Sequence, residues 1–216
     1  MEESESHHDL AISTFDRVAK GYQDLFMELD LYNATYDRFC AMVAKPGAHI
    51  FEVGCGPGNI PRYLLAKRPD FQLHATDAAP NMVALAKQNL PQAKVELMDA
   101  RHLGALSTRY DGVVIGFCMP YLPKDECLQL IADSAAVLQP EGVLYLSVIE
   151  DNYDKSGFEW SSDGQHKCYV YCHEESYLKE GMQASGFAGI EAMRIHYTKA
   201  NGTEATHLVL LGRKTS

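Results

Sequence analysis

The run Glu52-Val53-Gly54-Cys55-Gly56-Pro57-Gly58 follows a short apolar stretch, His49 to Val53, and leads into a helical pattern from Ile60 to Lys67. Glycines placed where a strand becomes a helix let the backbone turn tightly and let a ligand approach it with no side chain in the way. Such a turn can also exist with no ligand at all. Its spacing separates two ligand classes. A dinucleotide loop wants Gly-x-Gly-x-x-Gly; here the third glycine comes one residue early and Pro57 sits inside. A phosphate loop would need Gly-Lys-Ser/Thr, which is absent. Asp77 ends the next strand, 23 positions after Gly54 (77 − 54). A carboxylate there can accept both hydroxyls of a ribose diol, or can cap the helix that opens at Pro80. An NAD site uses the same device, so Asp77 argues for a nucleoside without choosing which.

With Asp99-Ala100 at the end of a third strand, the pattern Glu-x-Gly-x-Gly-x-Gly, Asp, Asp resembles motif I and the two following strand ends of class I S-adenosylmethionine (SAM)-dependent methyltransferases. The resemblance runs from about Phe15 to Arg213. It implies that Glu52, Gly54, Cys55, Gly56 and Gly58 back onto the amino-acid end of SAM, and that Asp77 and Ala78 hold the ribose. It implies too that Asp99 takes the adenine amino group while the Ala100 amide meets a ring nitrogen. The backbone carbonyls of Phe117 and Cys118 become candidates for the SAM ammonium. Phe15-Asp16-x-x-Ala19-x-x-Tyr22 is similar to the N-terminal entry of many small-molecule methyltransferases, which makes Tyr22 a lid residue over SAM. The usual Pro-Gly-Gly before the fifth strand is Pro140-Glu141-Gly142 here.

The elements that must position these residues follow from periodicity. Leu10 to Val43 reads as helical, with Phe15, Val18, Ala19, Tyr22, Phe26 and Leu29 at three- and four-residue steps. From Ala48 to Ile149 strands and helices alternate, which predicts an α/β, doubly wound, mostly parallel sheet. Asp151 to Gln165 is rich in Gly, Ser and Asp and reads as a long loop. Lys167 to Cys172 alternates as a strand, a helix follows to Ser185, and strands at Ile190 to His196 and Thr206 to Leu211 flank the turn Asn201-Gly202. The expected fold is therefore a seven-stranded Rossmann-like sheet closed by a C-terminal antiparallel hairpin. Residues 1–44 form an N-terminal helical lid, and residues 45–216 form the SAM-binding domain with a substrate-side insertion at about 151–172.

Methyl transfer from a sulfonium is an in-line displacement in which positioning does most of the work. A base is needed only where the acceptor must lose a proton. Candidates for proton transfer are Tyr22, Glu150, His166 and His173; Tyr121, Tyr153 and Trp160 are candidates to bind the acceptor. Tyr169, Tyr171 and His173 share one face of the alternating segment and form either an aromatic pocket or a plain sheet face. No metal site is expected, since Cys168, Cys172 and His173 fit no common zinc spacing. Cys118 is expected to be a packed thiol.

The bulk composition narrows the acceptor. A net charge of −10 over 216 residues lacks the basic footprint of a nucleic-acid binder. The Asn-Pro-Pro-Tyr motif of DNA adenine methyltransferases is missing after the fourth strand, where Cys118-Met119-Pro120-Tyr121 stands. Together these point to a small-molecule acceptor methylated on O, N or C. The acidic first residues are unlike a signal peptide, and no apolar run approaches the roughly 20 residues needed to span a bilayer. Six scattered cysteines then suit a reducing cytoplasm. Monomer and homodimer are both compatible with the sequence. Two rivals are an NAD-dependent oxidoreductase, against which loop spacing, Asp99 and the terminal hairpin all count, and a non-catalytic module that uses the same fold to bind a partner. A third, aminopropyl transfer, lacks the paired acidic residues a polyamine would need.

Overall fold

The computed structural model describes residues 6–160, 164–199 and 202–215. Its central sheet contains β1 (His49–Val53), β2 (Gln72–Asp77), β3 (Lys94–Leu97), β4 (Tyr110–Ile115), β5 (Leu138–Glu150), β8 (Phe187–Thr198) and β9 (Glu204–Lys214), in the order β3-β2-β1-β4-β5-β9-β8. The pairings from β3 through β5 are parallel, and β9 runs antiparallel to both β5 and β8. This is the doubly wound sheet with a terminal hairpin that the alternation predicts. Strand order reverses between β1 and β4, and ligands of such sheets bind at that switch point, beyond the carboxyl ends of the strands. The glycine run begins there, directly after Val53.

The parallel strands are apolar on both faces because helices cover both. Ile50, Val114 and Tyr145 belong to one core cluster, with α2 (Asn33–Met42), α3 (Asn59–Lys67) and α4 (Pro80–Asn89) contributing Phe39, Leu64 and Ala86. Phe51, Val113, Ile115 and Leu146 belong to the other, with Ile131 of α5 (Lys124–Val137) and Leu178 of α6 (Glu175–Ala184). Wholly buried strands read as continuous apolar runs rather than as alternation.

Three expectations need correction. The single helical stretch Leu10 to Val43 is two helices, α1 (His7–Phe26) and α2. Apolar spacing continues through Leu29, but periodicity is blind to a change of axis direction. Backbone bonds from Leu29 N to the Phe26 carbonyl and from Asn33 N to the Asp30 carbonyl turn the chain between them. Only α1 stands apart from the sheet, since Tyr36, Phe39 and Met42 of α2 are core residues. The stretch Asp151 to Gln165 is not all loop: it holds a short helical turn at Tyr153–Lys155 and β6 (Gly157–Trp160), which pairs antiparallel with β7 (Lys167–Val170) as a separate two-stranded sheet. A four-residue strand among polar residues gives little local signal; its partner defines it. The turn expected at Asn201-Gly202 falls partly outside the described residues, and the flanking strands extend further than their apolar cores because backbone pairing continues past them.

The first turn of α1 is fixed locally. Ser6 caps it, its Oγ accepting from Asp9 N at 3.2 Å and donating to the Asp9 carboxylate at 2.7 Å. Ala11 packs with Cys168 and Val170 of β7, while Ala19, Phe15 and Tyr22 pack with Ala79, Met82 and Leu85 at α4. Asn81 donates three hydrogen bonds to Asp16, the shortest 2.7 Å from its backbone N–H to Oδ1. This places α1 across the carboxyl ends of β1 to β4.

Candidate functional site

The glycine run supplies a bare, tight turn under α1. Gly54, Gly56 and Gly58 all have left-handed φ, +67°, +55° and +93°. A Cβ on Gly54 would lie 3.0 Å from Cβ of Cys118, and one on Gly56 would lie 3.8 Å from the ring of Tyr22. Gly58 has a different task. A Cβ there would meet Leu90 at 2.8 Å, so this glycine lets α3 start against the end of α4 rather than facing a ligand.

Asp77 ties the turn to the neighbouring strand. Its Oδ2 accepts from Gly56 N and its Oδ1 from Ala79 N, both at 2.8 Å. Burial pushes its carboxyl above the usual range although these backbone donors pull the other way. Each oxygen keeps a further lone pair. Glu52, at the end of β1, is wholly buried, and neither carboxylate oxygen has a hydrogen-bond partner. Burial first, then the charge of Asp77, holds its carboxyl well above the ordinary value. An unsatisfied buried carboxyl is costly, and one beside a bare backbone cradle is suited to a cationic ligand group.

Two cavities meet here. The smaller, of about 110 Å³, is lined by Gly54, Gly56, Asp77, Ala78, Ala100 and Cys118 below and by His8, Ile12, Phe15 and Tyr22 of α1 above. The larger, of about 800 Å³, is lined by Glu52, Cys55, Tyr32, Tyr36, Trp160, Tyr197, Lys199 and His207 among others. Tyr22, Gly54, Gly56, Gly116, Phe117 and Tyr121 line both. Phe117 sits at this junction in the left-handed region at φ +53°, held by its N–H donating to Ser147 Oγ at 2.9 Å. Non-glycine residues rarely adopt that conformation, and where they do it concentrates at functional sites. Burial raises the Tyr22 hydroxyl and the Cys118 thiol to about 12 each, so both keep their protons. Cys118, half-buried on the wall of the smaller cavity, is therefore a protonated thiol and not a thiolate nucleophile.

The structure redistributes the candidates for proton transfer. His173 is fully buried, its Nε2 donating to the Met119 carbonyl at 3.0 Å and its Nδ1 accepting from the Tyr177 hydroxyl. With both nitrogens engaged inside the core, it is a structural residue. Glu150 is bound by Arg194 through two bonds of 2.6 Å, and that guanidinium also pairs with Glu175. His166, half-buried, lines neither cavity, nor does Tyr153, which stacks on Tyr171 at 6.0 Å. Tyr169 and Tyr171 do share a face, but it receives His7 of α1, stacked on Tyr169 at 4.1 Å, and forms no acceptor pocket. Tyr121 and Trp160 remain on the larger cavity. Asp99 lies beside the smaller one without lining it; Met98, Ala100 and His8 do.

One group that sequence reasoning missed is His207. Its Nδ1 lies 2.7 Å from the Tyr32 hydroxyl, and its ring sits 4.8 Å from Phe117 and stacks on Tyr197 at 5.0 Å. Burial lowers its pKa to about 4, with Lys199 adding to the effect, so it is neutral at pH 7. In sequence His207 stands between Thr206 and the apolar run Leu208 to Leu211, where nothing marks it as different from the polar residues before it; in the sheet it lies opposite Ile149.

Residues 50–142 match the family model described as a methyltransferase domain. That matched segment, which carries the glycine turn, Asp77 and Asp99, is similar to a methyltransferase domain. The chain is 30% identical over 139 residues to a carboxy-S-adenosyl-L-methionine synthase of Chromohalobacter salexigens, covering 61% of this chain and 48% of that one. It is 33% identical over 101 residues to the trans-aconitate 2-methyltransferase of Variovorax paradoxus, covering 47% of this chain and 38% of that one. The chain thus spans about half or less of these curated relatives. Among solved structures, the magnesium protoporphyrin IX methyltransferase of Synechocystis PCC 6803 with bound SAM superposes over all of both chains with a TM-score of 0.73 at 18% identity. No helix among the described residues is long and apolar enough to cross a membrane.

Proposed function

We propose that this chain is an enzyme that transfers a methyl group from SAM to a small-molecule acceptor seated in the larger cavity. The observation that carries the reading is the orphaned Glu52 carboxyl beneath the Gly54–Gly56 turn, in a site whose other end offers Asp77. A donor with an ammonium at one end and a ribose diol at the other fits that pair. SAM, when bound, supplies the sulfonium methyl. Glu52 and the Gly54 and Gly56 backbone would hold its amino-acid end, Asp77 and Ala78 its ribose, and Ala100 with the α1 residues its base. Tyr22 covers the glycine turn, so α1 acts as a lid that keeps water from the reacting centre.

The remaining residues act on the acceptor. Tyr32, Tyr36, Tyr121, Tyr197 and Trp160 give the larger cavity flat apolar walls that align a small organic molecule against the junction at Phe117. Alignment is the main catalytic contribution for an in-line displacement. An acceptor hydroxyl or amine that must lose a proton has a neutral imidazole, His207, within the same cavity. Lys199, paired with Glu159 at 2.7 Å, lies on the same wall. The acidic net charge supports a small acceptor over nucleic acid, and six free thiols support a reducing, cytoplasmic setting.

The test is incubation of the full chain with methyl-labelled SAM and a panel of small hydroxyl, amine and carboxylate acceptors. Release of S-adenosylhomocysteine (SAH) with label in the acceptor supports the reading. Tight SAM binding with no SAH from any acceptor would favour a non-catalytic binding module.

A further inference from the structure

The nucleobase end of the donor cavity has an arrangement that the strand-end pattern does not anticipate. The Asp99 carboxylate is committed elsewhere. Its Oδ1 accepts from Arg101 N and Nε at 2.9 and 3.1 Å, and its Oδ2 accepts from Arg101 Nη2 at 2.6 Å and from His8 Nε2 at 3.3 Å. Asp99 does not line the cavity, whereas His8 does, next to Ala11, Met98 and Ala100. A carboxylate only accepts, so its contact places a proton on Nε2 of His8. The other ring nitrogen, Nδ1, is buried and has no hydrogen-bond partner, on a side chain that is 9% exposed. A proton on Nδ1 would have nothing to bond, so Nδ1 presents a lone pair. A buried acceptor on a ring that lines an apolar slot calls for a ligand N–H donor.

We propose that His8 of α1 reads the exocyclic amine of the donor's adenine, its Nδ1 accepting an amine N–H, while Asp99 is a positioning residue that fixes the ring and its tautomer. The assignment rests on the donor-site reading above. It makes base recognition a property of the lid: α1 must be seated for the amine to find its acceptor. The seat is built by the Ser6 cap, the Asp16–Asn81 bonds, the bond from Asn89 to Gln23 at 2.8 Å, and the stack of His7 on Tyr169. Donor specificity and lid closure are thereby linked.

Calorimetric titration of the full chain with SAH and with its deaminated analogue, S-inosylhomocysteine, tests this. Wild type should prefer SAH. His8→Phe keeps a ring but removes the acceptor, and the preference should fall about tenfold; His8→Ala should lose the same preference without a ring. Asp99→Asn should lower the preference too, and the double variant His8→Phe/Asp99→Asn should fall no further than His8→Phe alone, because the two act in series. If His8→Phe weakens both ligands by the same factor, His8 only seats α1 and the proposal fails. If the losses in the double variant multiply, Asp99 meets the amine directly and the relay fails. Wild type that binds neither ligand overturns the donor site itself, and the role of His8 with it.

Discussion

Replacing Glu52 with methionine is expected to stabilise the ligand-free protein and to weaken donor binding in the same variant. Glu52 is fully buried with neither oxygen bonded. A buried polar group without a partner costs about 1–3 kcal/mol. Methionine has similar length and no polar atom to strand. Recovering about 2 kcal/mol should raise the melting temperature of a domain this size by about 4–8 °C. In the proposed complex the same substitution would remove a charge-assisted hydrogen bond to the donor's ammonium. At about 1.5–3 kcal/mol for such a bond, Kd should rise about 10- to 150-fold. The pH dependence adds a check. Because burial raises the folded-state pKa of Glu52 above its ordinary 4.5, its stabilising contribution is full below pH 4.5 and is lost as pH rises through the folded value. The Glu52→Met protein should lack that loss. Scanning calorimetry of the apo protein and titration with SAH read both effects. A lower melting temperature with unchanged SAH affinity would make Glu52 a packing residue and refute the reasoning.

Three further outcomes are expected. Asp77→Ala removes the acceptor for Gly56 N and Ala79 N as well as the proposed ribose contact, and SAH affinity should fall about 10- to 100-fold; unchanged affinity would leave Asp77 as a cap only. Gly54→Ala puts a Cβ 3.0 Å from Cys118 Cβ at a φ of +67°. It should lose about 1–2 kcal/mol in urea unfolding and more than tenfold in SAH binding, since the Cys118 backbone cannot yield without moving Phe117. His173 and His207 are held neutral by burial, each lowered from 6.5 to about 4. Their contribution is full above pH 6.5 and is lost as pH falls through about 4, so His173→Gln should be less acid-sensitive than wild type between those values in denaturant titrations.

Much of the sheet was legible because its causes are local. Glycines, strand-end carboxylates and alternating apolar runs each mark their own position, so β1 to β5 and the Gly54, Gly56 and Asp77 cluster could be read directly. A glycine that faces a ligand and one that makes room for a side chain, as Gly58 does for Leu90, look the same in sequence. Nothing in the sequence marks that both ring nitrogens of His173 are engaged, by the Met119 carbonyl and the Tyr177 hydroxyl. The pairings of Tyr32 with His207 and of His8 with Asp99 depend on residues 175 and 91 positions apart meeting in space. No periodicity encodes such meetings. The walls of the larger cavity share this origin, assembled from α2, the residues just after β4, β6 and the terminal hairpin together.

The central claim, that the Gly54–Gly56 turn with Glu52 and Asp77 is a SAM site, is tested most directly by titrating the unmodified chain with SAH and, in parallel, with NADH. One equivalent of SAH bound with measurable heat and no NADH binding is the predicted result. NADH binding without SAH binding would contradict it.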